Sequence, residues 1–176
     1  EAIEVARTEL PNILLLIAGE GPALAQLRQR VADCGLSRNV QFIGYLDRAS
    51  ELPSCYAAAD VFVFASRTET QGLVLLEAMA AGLPVVALAA MGTVDILGAR
   101  RGALVPDDHP DAFAQTLLRL LGDRALAARL AVEARAYAAE WSDDKLAGRL
   151  ADLYRQLVAR SEEHTSELQS LSRTSY

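Results

Sequence analysis

Aromatic side chains are scarce in this chain, at 6% of 176 residues with a single Trp, and cysteine and histidine number two each. So few rings argue against a sugar cleft lined by stacked aromatics. Cys34 and Cys55 fall on separate helical segments without metal-type spacing, so small buried apolar roles are expected, and neither demands an oxidising compartment. Basic charge is not in excess. At a net charge of −6 the chain does not grip nucleic acid or an anionic bilayer by charge alone. No apolar run approaches the roughly 18–20 residues that span a membrane, and no signal peptide opens the sequence. A cytoplasmic protein is expected, with peripheral attachment at the inner membrane face left open. His109, in Pro106-Asp107-Asp108-His109-Pro110-Asp111, sits in what reads as a helix start with Asp capping and an early Pro, not a metal site.

What the chain does have is 52% hydrophobic residues, enough for one sizeable core. Short apolar β-rich runs predict strands near 13–18, 40–43, 61–64, 85–88 and 102–105. Helical spacing predicts helices near 22–34, 50–58, 72–81, 94–98 and 111–121 between and after them. This alternation is the pattern of an α/β fold with a Rossmann-like, doubly wound parallel sheet, its named loops on one sheet edge. Ala-rich helices over 124–139 and 143–159 follow, with Leu126, Leu130, Ala134, Tyr137 and Leu146, Leu150, Leu153, Leu157 as apolar stripes for core or interdomain packing.

The segment from Ser66 to Val86 carries the chemistry. Val61-Phe62-Val63-Phe64 is a buried strand, Ser66 to Gln71 a polar loop, Gly72 a helix start, and Gly82-Leu83-Pro84 a glycine stop followed by proline. The loop after such a strand borders the ligand crevice, the free amides of the next helix turn favour an anion, and Gly72 lets a phosphate approach the backbone closely. Glu69 and Glu77, eight residues apart, flank that turn. Each carboxylate can accept two hydroxyls of a vicinal diol. The pair suits one extended ligand with phosphate in the middle and hydroxyls at both ends. Two solvated glutamates at a helix start would give the same spacing.

These residues resemble the donor-site signature of retaining glycosyltransferases of the GT-B fold, in particular family 4: two glutamates with seven residues between them and an "EAMAxGxPVV" helix and strand. Leu14-Leu15-Leu16-Ile17-Ala18-Gly19-Glu20-Gly21-Pro22 and Val40-Gln41-Phe42-Ile43-Gly44-Tyr45 resemble the family's "LxIxGxGP" and "VxFxGxL" segments. Met91-Gly92-Thr93 stands where the family usually has Gly-Gly, and Arg101-Gly102-Ala103-Leu104-Val105 resembles its "GxLV" strand. By that resemblance Glu69 is the catalytic-site acid that holds the transferred sugar, and Glu77 holds the ribose. Thr70, Gln71, Gly72, Leu73 and Val74 surround the diphosphate. Gly19 and Gly21 line the crevice, and Gly44 and Tyr45 face the nucleobase. The resemblance implies metal-independent transfer with no cofactor, the donor being a UDP-hexose or another nucleoside diphosphate sugar. The absence of any Asp-x-Asp triplet argues against a metal-clamped diphosphate. The "TETQG" form resembles members that act on lipid acceptors; a glycan is the other option.

One domain's worth of chain implies that the amino-terminal GT-B domain, the partner in acceptor binding, lies outside this sequence. With it goes the family's Arg and Lys pair on the diphosphate, expected just upstream of Glu1. Arg67 lies near the site, either solvated or paired with Glu69. Residues 1–160 are read as the donor domain, Trp141 resembling the aromatic before its last helix. Residues 161–176 resemble a translated sequencing adapter, are Ser/Thr-rich without apolar periodicity, and are expected to be a disordered, non-native tail in which His164 has no role. A non-catalytic nucleotide-sugar binding module and a GT-B sugar-nucleotide epimerase remain as alternatives. A hydrolase with Glu69 and Glu77 as its acid and base is disfavoured by the anion-binding turn between them.

Overall fold

The structure is a computed structural model that describes the backbone of residues 1–173 and the side chains of residues 1–161. The chain forms two units, the first Glu1–Ala138 and the second beginning at Ala139. In the first unit the elements run α1 (Ala2–Ala6), β1 (Leu15–Ala18), α2 (Leu24–Asp33), β2 (Val40–Gly44), α3 (Glu51–Ala58) and β3 (Phe62–Phe64). Then come α4 (Leu73–Ala80), β4 (Val85–Ala87), α5 (Thr93–Leu97), β5 (Ala103–Leu104), α6 (Pro110–Gly122) and α7 (Arg124–Ala138). Each strand and helix expected from hydrophobic spacing is present in its expected place.

All the strand pairing is parallel, but it forms two ladders where one sheet was expected: β1-β2, and β3-β4-β5. No ladder joins β1 to β3. The Leu15 N–H is spent on the Asn39 carbonyl at 2.8 Å and the Phe62 N–H on the Pro84 carbonyl at 2.9 Å. Alternation along each strand then turns the peptide groups of Leu16 and Val63 to the other side, away from β2 and β4.

The second ladder is buried on both faces, and the strand period of two sorts its side chains. Val61, Val63, Val86, Leu88 and Leu104 join Phe113 and Leu120 of α6 and Leu126 and Leu130 of α7 in one cluster. Phe62 turns to the opposite face, where Tyr56 of α3 and Ala78 of α4 meet it with Leu83. Helices therefore cover both faces, which is the doubly wound arrangement. The α7 stripe is core as expected: Leu126, Leu130, Ala134 and Tyr137 are all buried. Cys34 and Cys55 are half-buried rather than enclosed, and neither is in a disulfide.

Helix α4 ends as its sequence says. Gly82 takes φ +86°, its N–H bonds to the Met79 carbonyl at 2.9 Å, and Leu83 N–H reaches back to Ala78 at 3.0 Å. That pair of bonds is a Schellman stop. At α6 the cap differs from expectation. His109 itself takes the cap position, its Nδ1 accepting from Asp111 N–H at 3.3 Å, with Pro110 in the first turn. An extended backbone at residue 109 puts the imidazole, not a carboxylate, over the free amides.

The second unit holds a 3-10 turn, Ala139–Trp141, and α8, Asp143–Arg173. Leu146, Leu150, Leu153 and Leu157 are 41–52% exposed. The helix continues to Arg173 through the stretch expected to be structureless, since no Gly or Pro falls within residues 161–173 and propagating an existing helix needs no new nucleus. Residues 174–176 of that expected tail lie outside the described residues.

Packing at Gly102 is a test of the core. Its φ is +69°, and a Cβ there would lie 2.4 Å from Ala134 Cα on α7. Gly102→Ala is expected to destabilise the unit by about 3 kcal/mol, combining left-handed strain with overpacking against backbone, measured by urea denaturation.

Candidate functional site

The β3–α4 loop is shaped by one carboxylate. Glu69 Oε1 accepts the N–H of Gln71 at 2.9 Å and of Gly72 at 3.1 Å. Those amides, Gln71 first and then Gly72, hold the carboxyl below its ordinary value. Gly72 follows with φ +74°, and a Cβ there would lie 3.0 Å from Ile96 Cδ1. Helix α4 then starts with no side-chain cap, so its first N–H groups beyond Gly72, at Leu73 and Val74, open the helix without a side-chain acceptor. Leu73 is 55% exposed. Thr70 and Gln71 are exposed at the tip of the loop.

Behind this loop stands the β4–α5 loop. Gly92 N–H donates to the Glu69 carbonyl at 3.0 Å, and a Cβ on Gly92 would lie 2.0 Å from the Thr70 carbonyl oxygen. Met91 before it takes φ +50°, the conformation that glycine tolerates best, at the first position of the family's usual Gly-Gly. Thr93 is fully buried; its Oγ1 accepts from Ala90 N–H at 2.9 Å and lies 3.0 and 2.8 Å from the Leu88 and Ala90 carbonyls. Gly92 and Thr93 thus shape the site as much as its own loop does. Their signal in the sequence was a glycine and a hydroxyl in the loop that follows a buried strand.

Glu77 has a different environment. Its Oε1 accepts from Arg48 on the β2–α3 loop, and Tyr56 O–H donates to Oε2 at 3.5 Å. Burial first, then the Glu77 charge, pushes the Tyr56 hydroxyl up to about 12, so it remains a donor at neutral pH. Glu69 and Glu77 share no partner among the described residues. Neither Arg48 nor Tyr56 was singled out from sequence. Arg67 does not pair with Glu69 and is not simply solvated: Nε and Nη2 grip the two oxygens of Asp108, both at 2.7 Å. A bidentate fork satisfies the guanidinium better than one carboxylate already occupied by two amides.

At the carboxyl ends of β1 and β2, Gly19 N–H donates to the Gly44 carbonyl at 2.7 Å. Gly19 takes φ +118° and Gly44 φ +72°, and a Cβ at Gly19, Gly21 or Gly44 would meet nothing within 4 Å. Tyr45 next to Gly44 is 70% exposed. Arg48 on Glu77 ties this edge to the edge of the second ladder. An apolar depression lined by Ile3, Leu15, Ile17, Val31, Leu36 and Phe42 lies between β1-β2 and helices α1 and α2. It involves none of these loops, and the charged groups on its lining, Glu1 and Arg30, are paired with each other. Among the described residues no cluster of three or more His, Cys, Asp or Glu side chains could hold a metal ion, and no helix is long and apolar enough to cross a membrane.

A doubly wound parallel α/β unit with glycine-marked loops and an uncapped helix start on its carboxyl edge has the architecture of one half of a GT-B enzyme. The chain belongs to the Glycosyl transferases group 1 family, whose profile matches residues 1–137. It is 36% identical over 163 residues to the GDP-mannose-dependent alpha-(1-6)-phosphatidylinositol monomannoside mannosyltransferase of Mycobacterium tuberculosis, covering 88% of this chain and 42% of that protein. The D-inositol 3-phosphate glycosyltransferase of Salinispora arenicola is 37% identical over 147 residues, covering 83% of this chain and 33% of the relative. Among solved structures, the C-terminal domain of a glycosyl transferase group 1 family protein (LpcC) from Francisella tularensis superposes with a TM-score of 0.68 at 30% identity, covering 78% of this chain and 74% of that one. The chain therefore spans less than half the length of the curated relatives it matches.

Two outcomes test this geometry. Because Glu69 has a lower pKa folded than unfolded, its hold on the loop is complete above its ordinary 4.5 and fades as pH falls through the lowered value. The amide resonances of Gln71 and Gly72 should titrate with a midpoint below 4.5, and the transition should vanish in Glu69→Ala. Gly92→Ala should push the Thr70-Gln71 turn outward and raise hydrogen exchange at Gln71 and Gly72 by about tenfold, the expected cost of displacing backbone being 1–3 kcal/mol.

Proposed function

We propose that this unit binds the donor of a retaining glycosyl transfer, a nucleoside diphosphate hexose, with Glu69 toward the hexose, the helix-start amides of Leu73 and Val74 toward the diphosphate, and Glu77 toward the ribose. The observation that carries the reading is the uncapped start of α4, with a carboxylate on each flank. Glu69 spends Oε1 on the loop, which leaves Oε2 to accept sugar hydroxyls. Gly19, Gly21 and Gly44 place no side chain of their own at the ends of β1 and β2, and Tyr45 is exposed beside the position assigned to the base.

In such a site catalysis is mostly electrostatic and positional. Amides aimed at the diphosphate stabilise the charge that develops as it departs, and the hexose is held for attack on the same face. Glu69 is unsuited to protonating a leaving group, because two amides lower its pKa where an acid catalyst needs it raised. That disfavours the hydrolase reading.

The base was expected to be uracil. The mycobacterial relative is named for GDP-mannose, which makes GDP-mannose the first donor to try. The names of the relatives also favour an inositol-containing acceptor, a phosphatidylinositol glycolipid or inositol phosphate. Acceptor binding is assigned to the part of the relatives that this chain does not span, so the chain by itself is expected to bind donor without transferring sugar.

Isothermal titration with GDP-mannose and with UDP-glucose tests the reading. Saturable binding of one of them is expected, weakened by 10- to 100-fold in Glu77→Ala, the scale of a charged acceptor bonding a diol. Binding of neither nucleotide sugar overturns it.

A further inference from the structure

Glu77 is gripped from two directions by the segment that forms α3 and its entry loop. Arg48 leaves that loop just before the helix, and the backbone there is fixed by reciprocal bonds. Asp47 Oδ1 accepts from Ala49 N–H at 3.1 Å, Ser50 N–H at 2.9 Å and the Ser50 hydroxyl at 2.6 Å, while Glu51 Oε2 accepts the Asp47 N–H at 2.8 Å. This is capping-box logic, with a side chain and a backbone amide exchanging bonds across one turn. The Arg48 guanidinium thus starts from a set turn and reaches Glu77 Oε1.

Tyr56 approaches from the core side. Its ring is buried against Phe62, edge to face at 5.9 Å, and its hydroxyl points at Glu77 Oε2, 3.5 Å away. An aromatic ring packed in a core has little freedom, so its hydroxyl is a fixed donor. Each carboxylate oxygen has two lone pairs, so one bond from Arg48 and one from Tyr56 leave acceptor capacity on both. The side chain of Glu77 is 32% exposed, so that capacity faces solvent.

We infer that Arg48 and Tyr56 are positioning residues that lock the Glu77 carboxylate into the orientation that receives a pair of vicinal hydroxyls. The inference rests on the proposed placement of the ribose at Glu77. A glutamate free to rotate would lose side-chain freedom on binding, whereas one already held on both sides does not. Arg48 acts here through Glu77, not through a phosphate or a base.

The test compares GDP and UDP, each with its 2′,3′-dideoxy form, by titration of the 176-residue chain. Wild type should prefer the ribo form of the nucleotide it binds by about tenfold or more. Glu77→Ala should erase that preference. Arg48→Ala and Tyr56→Phe should each shrink it by roughly 3- to 10-fold while leaving affinity for the dideoxy form unchanged, and Arg48→Lys should restore part of it. Melting midpoints should stay at the wild-type value, since the Arg48 side chain is 71% exposed and Tyr56→Phe keeps the packed ring. Equal losses for ribo and dideoxy forms in Arg48→Ala overturn the inference, because Arg48 would then contact phosphate or base. Tighter binding in Arg48→Ala overturns it too, by making the ion pair a competitor of the ligand. If Glu77→Ala erases the preference but Arg48→Ala and Tyr56→Phe leave it intact, only the positioning role falls. If wild type binds both forms alike and Glu77→Ala changes nothing, the ribose assignment itself falls.

Discussion

The site depends on a place where no side chain can stand. Gly92 brings its backbone against Thr70 so closely that a methyl group would overlap the carbonyl oxygen. That contact and the Gly92 N–H on the Glu69 carbonyl set the height and direction of the Thr70-Gln71 turn. With the turn set, the Glu69 carboxylate folds onto the next two amides, Gly72 takes its left-handed conformation, and α4 begins. Thr93 anchors the supporting loop from inside, its hydroxyl spanning the backbone from Leu88 to Ala90. Each member of this chain of contacts helps set where the helix start opens at the sheet edge.

Packing, rather than charge, holds that arrangement in place. Leu75 and Met79 of α4 and Val85 and Val86 of β4 are fully buried, and each such side chain contributes about 1.5–3 kcal/mol through the hydrophobic effect. The ion pairs around the site, Arg67 with Asp108 and Arg48 with Glu77, have guanidiniums about 70% exposed, where a pair is worth roughly 0.2–1 kcal/mol. Their value lies in direction. Arg67 is committed to Asp108, whereas Arg48 is committed to Glu77.

Hydrophobic spacing made the elements legible because helices and strands are local: Val85-Val86 directly after Pro84, or Leu117 and Leu120 in α6, need only their neighbours to declare themselves. Gly72, Gly82 and Pro84 were readable for the same reason, since glycine permits the left-handed region that other residues avoid and proline fixes φ by itself. The pairings that complete the site were not. Arg48 and Glu77 are 29 residues apart and Arg67 and Asp108 are 41 apart, so nothing in either local pattern announces the partner. Gly92 could be seen as unusual but not as the floor under Thr70. The division into two ladders was likewise invisible, because a buried-strand pattern says that an edge is to be covered and not by which neighbour. His109 took the cap expected of an aspartate because all of the candidates lie within four residues, and local pattern does not discriminate among them.

The two ladders leave β1 and β3 unjoined to each other. At Leu16 and Val63 the peptide groups face away from their own ladders, and neither β1 nor β3 has a second neighbour. Each rim turns one peptide group outward, at Leu16 on β1 and at Val63 on β3, and such an edge can pair with an extended backbone. Backbone pairing capacity at these rims is thus a property of the sheets themselves, separate from the loops on their carboxyl edge.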